Sequence, residues 1–242
     1  MTLIHVRKLI VLTAVALLVF AGAVLVGAGL RGISPTDLVA LGLAVVRRES
    51  SKHTTKDRLA EIYARRPDVR ELAASAGDSL RILVLKHERK VEVSAPGWTS
   101  PRVYPMTGFS GTLGPKLKEG DGQIPEGVYG IEYLNPNSLF HLSLKVSYPN
   151  DFDCRMAKKD GRTNLGGDIM IHGGSATVGC IPVGDEAIEE LFVVAATVGV
   201  RNVSVLILPY DLRKGRQPSL ESSAVDWYPR LLATLEVAVG IR

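Results

Sequence analysis

The chain has little of what usually announces a function. Two cysteines in 242 residues, Cys154 and Cys180, allow at most one disulfide, so no disulfide framework holds this fold. Aromatic residues make up 6%, and no Lys/Arg stripe runs between them. That removes the usual footprint of nucleic-acid binding. Neither sign of charge dominates. A net charge of +4 and a pI of about 9.1 mean ordinary surface charge, or weak attraction to an anionic polymer or membrane surface. No histidines and cysteines stand at zinc-ligand spacing, so neither metal nor cofactor is expected. Internal repeats and long low-complexity segments are also missing.

What is there belongs to a folded protein: 46% hydrophobic and 22% charged residues. The length suits one sizeable domain with appendages, or two small domains. Leu9 to Leu30 is almost wholly apolar, with Thr13 its one ordinary polar side chain. At a rise of about 1.5 Å per residue such a run crosses a hydrocarbon core of about 30 Å. Arg7 and Lys8 precede it and favour a cytoplasmic N-terminus. A single-pass inner-membrane anchor is the expectation, with the remainder extracytoplasmic. A cleaved signal peptide ending near Ala21-Gly22-Ala23 is the rival, although signal-peptide cores are shorter.

Leu38 to Val46 reads as a short juxtamembrane helix or linker. Thr54 to Ala76 has helical spacing through Leu59, Ile62, Val69, Leu72 and Ala73, and Pro67 divides it. From Leu80 the pattern turns to strands. Arg81–Leu85 and Val91–Val93 flank the charged turn Lys86–Lys90. Val103–Thr107, Gly127–Tyr133, His141–Tyr148, Asp168–His172, Cys180–Val183 and Val203–Leu208 follow, separated by Gly, Pro, Asn and Asp. One helix interrupts them, Gly184 to Val198, with Asp185 and Glu186 in its first turn. Arg213–Ser223 reads as a loop and Val225–Val239 as a final amphipathic helix. The fold class is mainly β with flanking helices.

The most informative stretch is Ile169 to Val183: apolar residues, His172-Gly173, a small-residue loop, Gly179-Cys180, then apolar residues again. A free thiol near pKa 8.5 is only slightly ionised at neutral pH, and an imidazole close by can take its proton. Two strands joined by a tight turn would bring His172 and Cys180 together. Gly179 and Cys180 amides are candidate oxyanion donors, with Ser175 and Thr177 hydroxyls beside them. A glycine-rich hairpin with a buried histidine and cysteine would read the same way without any catalysis.

These residues resemble the L,D-transpeptidase catalytic (YkuD) domain, in its YafK-like branch. His172-Gly173 and Gly179-Cys180-Ile181 carry the core of the motif. Gly114-Pro115-Lys116, Gly120-Asp121, the run Gln123 to Tyr129, Asn135–Ser138 and Ser147–Asn150 extend the likeness over Leu80 to Pro209. The resemblance implies a β-sandwich-like catalytic domain acting on peptidoglycan stem peptides, in cell wall biogenesis and cell shape. It implies that Cys180 is the nucleophile and His172 the general base, with the Gly173 carbonyl orienting the ring. A thioester acyl-enzyme would pass to an amine or, in a hydrolytic variant, to water. A non-catalytic wall-binding module is the remaining alternative. Two positions depart from the pattern: Val178 replaces the second histidine and Pro182 the usual arginine.

The chain then divides into a cytoplasmic stub and anchor (1–31), a helical linker region (32–79), the catalytic domain (80–209) and a C-terminal loop and helix (210–242). Lys116, Lys118 and Arg162 are candidates for binding acidic stem peptides, and Tyr129, Tyr148 and Phe152 for walling a groove. Solvated charge and core packing compete with those roles. Asp168 and Asp185 flank the motif, Asp185 as a first-turn helix residue. His141 reads as a packing residue, and Cys154 as a bystander thiol.

Overall fold

Apolar strands of two to twelve residues set the architecture of this computed structural model, which describes residues 53–218 and 225–241. The strands are β1 (Leu80–Leu85), β2 (Lys90–Ser94), β3 (Arg102–Pro105), β4 (Gly127–Ser138), β5 (His141–Val146), β6 (Met170–His172), β7 (Ile181–Pro182) and β8 (Val203–Leu208). They hydrogen-bond in the order β3-β2-β1-β8-β4-β5-β6-β7. The sheet is mixed: β1 runs parallel to β8, and β4 is antiparallel to both β8 and β5. Residues 127–130 of β4 pair with β8, and its remainder pairs with β5. One long strand thus joins two half-sheets in a single connected order, where a sandwich-like arrangement was expected.

Five helices flank the sheet among the described residues: α1 (Thr55–Arg65), α2 (Pro67–Ala74), α3 (Asp151–Lys159), α4 (Asp185–Val198) and α5 (Tyr228–Ala238). Thr54 and Asp57 form a reciprocal capping box that starts α1, and Pro67 sits at the start of α2, where its missing N–H costs nothing. Both helices were read as part of a linker region. Their Ile62, Val69 and Ala73 are buried in the main core, and Thr54–Arg242 form one compact unit. Glu189 and Glu190 on α4 accept from Arg65 and Arg66 at 2.8 Å each, which ties α1 to α4.

Side-chain parity divides the two faces. Leu142, Leu144 and Val146 of β5, Ile171 of β6 and Ile181 of β7 enter the core shared with α4. Along β1 and β8 the alternate residues Leu83, Leu85, Leu206 and Leu208 face a second cluster with Leu231, Leu232 and Leu235 of α5. The face of β5 and β6 opposite the main core carries Ser143, Lys145, Met170 and His172 instead.

Three expectations need correction. The strands flanking the His–Cys loop are shorter than expected, and β6 and β7 pair in parallel, not as a hairpin. An eight-residue loop suffices because only two residue pairs are formed (Ile171 with Ile181, His172 with Pro182). Helix α3 lies where no helix was expected; its residues are too polar to show a clear apolar stripe. Its start is marked by Asn150, whose side chain accepts from the Asp153 amide while Asp153 accepts from the Asn150 amide.

The expected anchor and juxtamembrane helix, and part of the 213–223 loop, lie outside the described residues. Among the described residues no helix is long and apolar enough to cross a membrane.

Candidate active site

His172 ends β6 and is 2% exposed. Its Nδ1 lies 2.6 Å from the Gly173 carbonyl oxygen. A carbonyl only accepts, so Nδ1 carries the proton and Nε2 of the neutral ring is left as the basic nitrogen. The Phe140 ring packs on the imidazole at 4.7 Å between centroids. Burial pushes the His172 pKa below its ordinary value, and the hydrogen bond to Gly173 offsets this in part. The ring is therefore held neutral at physiological pH, as a base must be.

Gly173 is fixed by crowding. A Cβ there would stand 2.5 Å from Asp185 Oδ1 and 2.8 Å from the Phe140 carbonyl. Asp185, in the first turn of α4, accepts from the Gly174 amide at 2.8 Å and so anchors the start of the loop. The loop then runs under the segment before β4. Gly108 meets it so closely that a Cβ would stand 2.0 Å from the Ser175 carbonyl. Gly179, at φ +92°, packs beneath the Gln123 carbonyl.

Cys180 precedes β7. It leads directly into the Ile171–Ile181 pair, and the Met170 backbone reaches its sulfur. Its thiol donates to the Asp168 carbonyl at 3.4 Å. Burial pushes the thiol pKa up, and the Asp168 carboxylate adds to that. The Met170 backbone amide and the ammonium groups of Lys116 and Lys145 pull it back down. The resting pair is thus thiol and imidazole, not the ion pair that a lowered thiol pKa would give. Cys154 is exposed and Cys180 is free, so no disulfide blocks the sulfur.

Several expected site residues are engaged elsewhere. The Gly179 amide donates to Ser110 Oγ at 2.7 Å and the Cys180 amide to Thr177 Oγ1 at 2.9 Å. Both proposed oxyanion donors already have internal acceptors. Thr177 also donates to the Cys180 carbonyl at 2.8 Å, which makes it a turn residue. Lys116 is buried, with its ammonium 2.6 Å from Asp121 and 3.0 Å from the Lys118 carbonyl. Arg162 is held by Asp160 and the Leu117 carbonyl, over the Trp227 ring. Tyr148 is in the core, its hydroxyl on the Leu165 carbonyl. Core packing also takes Tyr129, which bonds Asp153, while Phe152 packs edge-on against Trp227. His141 pairs with Glu189 at 2.8 Å. Ser175 is exposed on the loop, and Val178 at 76% exposure stands at the site's rim.

Ser110, Gly108, Phe140 and Lys145 belong to the site and were not anticipated. They come from distant segments, and of these only Lys145 carried a sequence signal: a lysine inside the otherwise apolar alternation His141–Val146.

No family model matches the chain. Two curated Escherichia coli proteins, from strain K12 and from O157:H7, each named "Putative L,D-transpeptidase YafK", are 30% identical to it over 144 residues, 56% of each chain. The chain thus spans about half the length of the curated relatives it matches. Among solved structures, the helical cell shape determining protein Pgp2 of Campylobacter jejuni superposes with a TM-score of 0.42 at 24% identity, over 59% of this chain and 56% of that one. L,D-transpeptidase 1 of Mycobacterium tuberculosis gives 0.32 at 15%, over 54% and 62%. The resemblance read from the sequence is borne out over those 144 residues: the chain is similar to the YafK-like L,D-transpeptidases.

Proposed function

We propose that this chain is a cysteine-dependent L,D-transpeptidase acting on peptidoglycan stem peptides. One observation carries the reading: the Gly173 carbonyl fixes the His172 tautomer and leaves Nε2 as the basic nitrogen at the end of β6, the strand that pairs with the β7 into which Cys180 leads. In this mechanism the Cys180 proton passes to His172 Nε2 and the sulfur attacks a stem-peptide carbonyl. The proton then leaves with the departing amine, and a second amine resolves the thioester. The sulfur must first turn away from the Asp168 carbonyl. The catalytic unit would be L,D-transpeptidase-like in fold, held outside the inner membrane by the Leu9–Leu30 anchor.

The test uses the purified full chain with muropeptides and mass analysis of the products. Cross-linked dimers or exchanged D-amino acids are expected, and Cys180→Ala should abolish them while the protein stays folded. Trimmed peptides alone would reassign the thioester to water. Turnover that survives in Cys180→Ala would defeat the reading, and no turnover by the folded wild type would leave a wall-binding module. For the anchor, the unit C-terminal to residue 31 should be open to protease in spheroplasts and shielded in intact cells.

A further inference from the structure

Lys145 lies close to the Cys180 sulfur. It pairs with Met170 across β5 and β6, so those two side chains share a face. Both the Met170 backbone and the Lys145 ammonium act on the sulfur. Lys145 is 6% exposed. Its ammonium donates to the Gly167 carbonyl, and to the Val146 carbonyl at 3.1 Å. The next residue along, Asp168, supplies the carbonyl on which the thiol rests. Lys145 thus holds the segment that parks the sulfur, and it brings a positive charge under that sulfur.

A buried lysine is costly, even on the face of β5 opposite Leu142, Leu144 and Val146. Its charge is also poorly cancelled. The nearest carboxylate, Glu132 on β4, is 3.8 Å away and half exposed. Lys116, the other ammonium that the sulfur feels and the stronger of the two, is itself paired with Asp121 at 2.6 Å. The remaining charged or titratable groups around the sulfur are His172 on β6 and the Asp168 carboxylate ahead of it.

The geometry points to Lys145 as a positioning residue for the nucleophile: it fixes the Gly167–Asp168 segment and stabilises the Cys180 thiolate once His172 has taken the proton. No proton is left over in that step, because Sγ loses it to Nε2 and Lys145 keeps all of its own. The inference builds on the nucleophile assigned above. It is tested without peptidoglycan, so the two fail separately.

The experiment follows alkylation of Cys180 by iodoacetamide against pH, by peptide mass, in a Cys154→Ser background. Lys145→Met should raise the midpoint by about one pH unit and slow alkylation at pH 7.5 about tenfold. Lys145→Arg should keep the wild-type midpoint. A folded Lys145→Met protein with the wild-type profile, reduced only in thermal stability, would overturn the inference. Should Lys145→Met not fold, Glu132→Gln decides: relieving the charge on Lys145 should speed alkylation at pH 7.5, and an unchanged rate overturns the proposal. A chain inactive on muropeptides that still shows these shifts would sink the transpeptidase reading alone.

Discussion

Cys180 Sγ lies 3.4 Å from the carbonyl oxygen of Asp168, a group that can only accept a hydrogen bond. The contact requires the proton to be on sulfur. Burial, the largest influence on this thiol, also favours the protonated form. The thiol therefore rests protonated, and in the proposed mechanism the neutral His172 imidazole takes its proton.

The first expectation concerns reactivity without substrate. Cys154 is exposed and Cys180 is not, so limited iodoacetamide at pH 7 should label Cys154 first. Cys180 labelling should climb as pH rises past the ordinary thiol value of about 8.5. Peptide mapping by mass reads both sites in one sample. Fast, selective labelling of Cys180 at pH 6 would mean a standing thiolate, which is incompatible with the bond to Asp168.

The imidazole gives a second expectation, in stability. His172 has its pKa lowered by burial, so between that depressed value and about 6.5 the unfolded chain binds more protons. Its contribution is fully present above about 6.5 and is lost as pH falls through that window. Wild type should therefore lose stability from pH 7 to pH 5 relative to His172→Gln. Asp153, pushed up to about 6 by burial, has the opposite slope, but it is common to both proteins and cancels in the difference. Urea denaturation across that range gives the two curves, and parallel curves would contradict a buried neutral ring.

How much of this was legible in the sequence follows from how local each signal is. β8 was read with its observed bounds, because Val203–Leu208 is apolar except for the exposed Ser204 and lies between turns. Helix α4 was equally plain from its acidic first turn and apolar length. Helix α3 escaped because its sequence, Asp151–Lys159, buries only Met156 and Ala157. At the site, His172 and Gly173 are adjacent in the chain, so their hydrogen bond was open to inference. Ser110 and Lys145 reach the same place from 70 and 35 residues before Cys180; loop packing brings the first and strand register the second. Lys116, Arg162 and Tyr148 show the converse. Their types suit a binding groove, but Asp121, Asp160 and the Leu165 carbonyl already hold them.

The loop amides furnish a third expectation. Gly179 is buried, and its amide has Ser110 Oγ as acceptor. Ser110 in turn donates to the Gly122 carbonyl at 2.8 Å, bridging the two segments. Ser110→Ala removes the acceptor and leaves a buried N–H, at a cost of about 1–3 kcal/mol. Chemical denaturation measures the loss directly. Unchanged stability would mean that water or a shifted loop replaces the hydroxyl. In that case the Gly179 amide is free to serve an oxyanion after all.

The last expectation lies beneath the same covering segment. Lys86 and Glu126 are fully buried, 2.8 Å apart. The Lys86 ammonium also donates to the carbonyls of Gly114 and Ile124, at 2.7 and 2.8 Å. Glu126 accepts from the Gly114 amide with one oxygen and from the Tyr228 hydroxyl with the other. One buried lysine therefore clamps both ends of the segment whose Gln123 carbonyl lies against Gly179. Desolvation pushes the Lys86 pKa down, while the Glu126 carboxylate opposes it. Lys86→Met strands that carboxylate in the interior and should cost about 3–5 kcal/mol. Lys86→Met with Glu126→Gln removes the stranded charge and should recover part of the loss. Full recovery is not expected, because the Gly114 and Ile124 carbonyls still lack a donor, at about 1–3 kcal/mol each. Denaturation of the single and double variants separates the terms. A single variant no less stable than the double would mean that Glu126 takes up a proton at little cost, and the clamp would then rest on the carbonyl contacts alone.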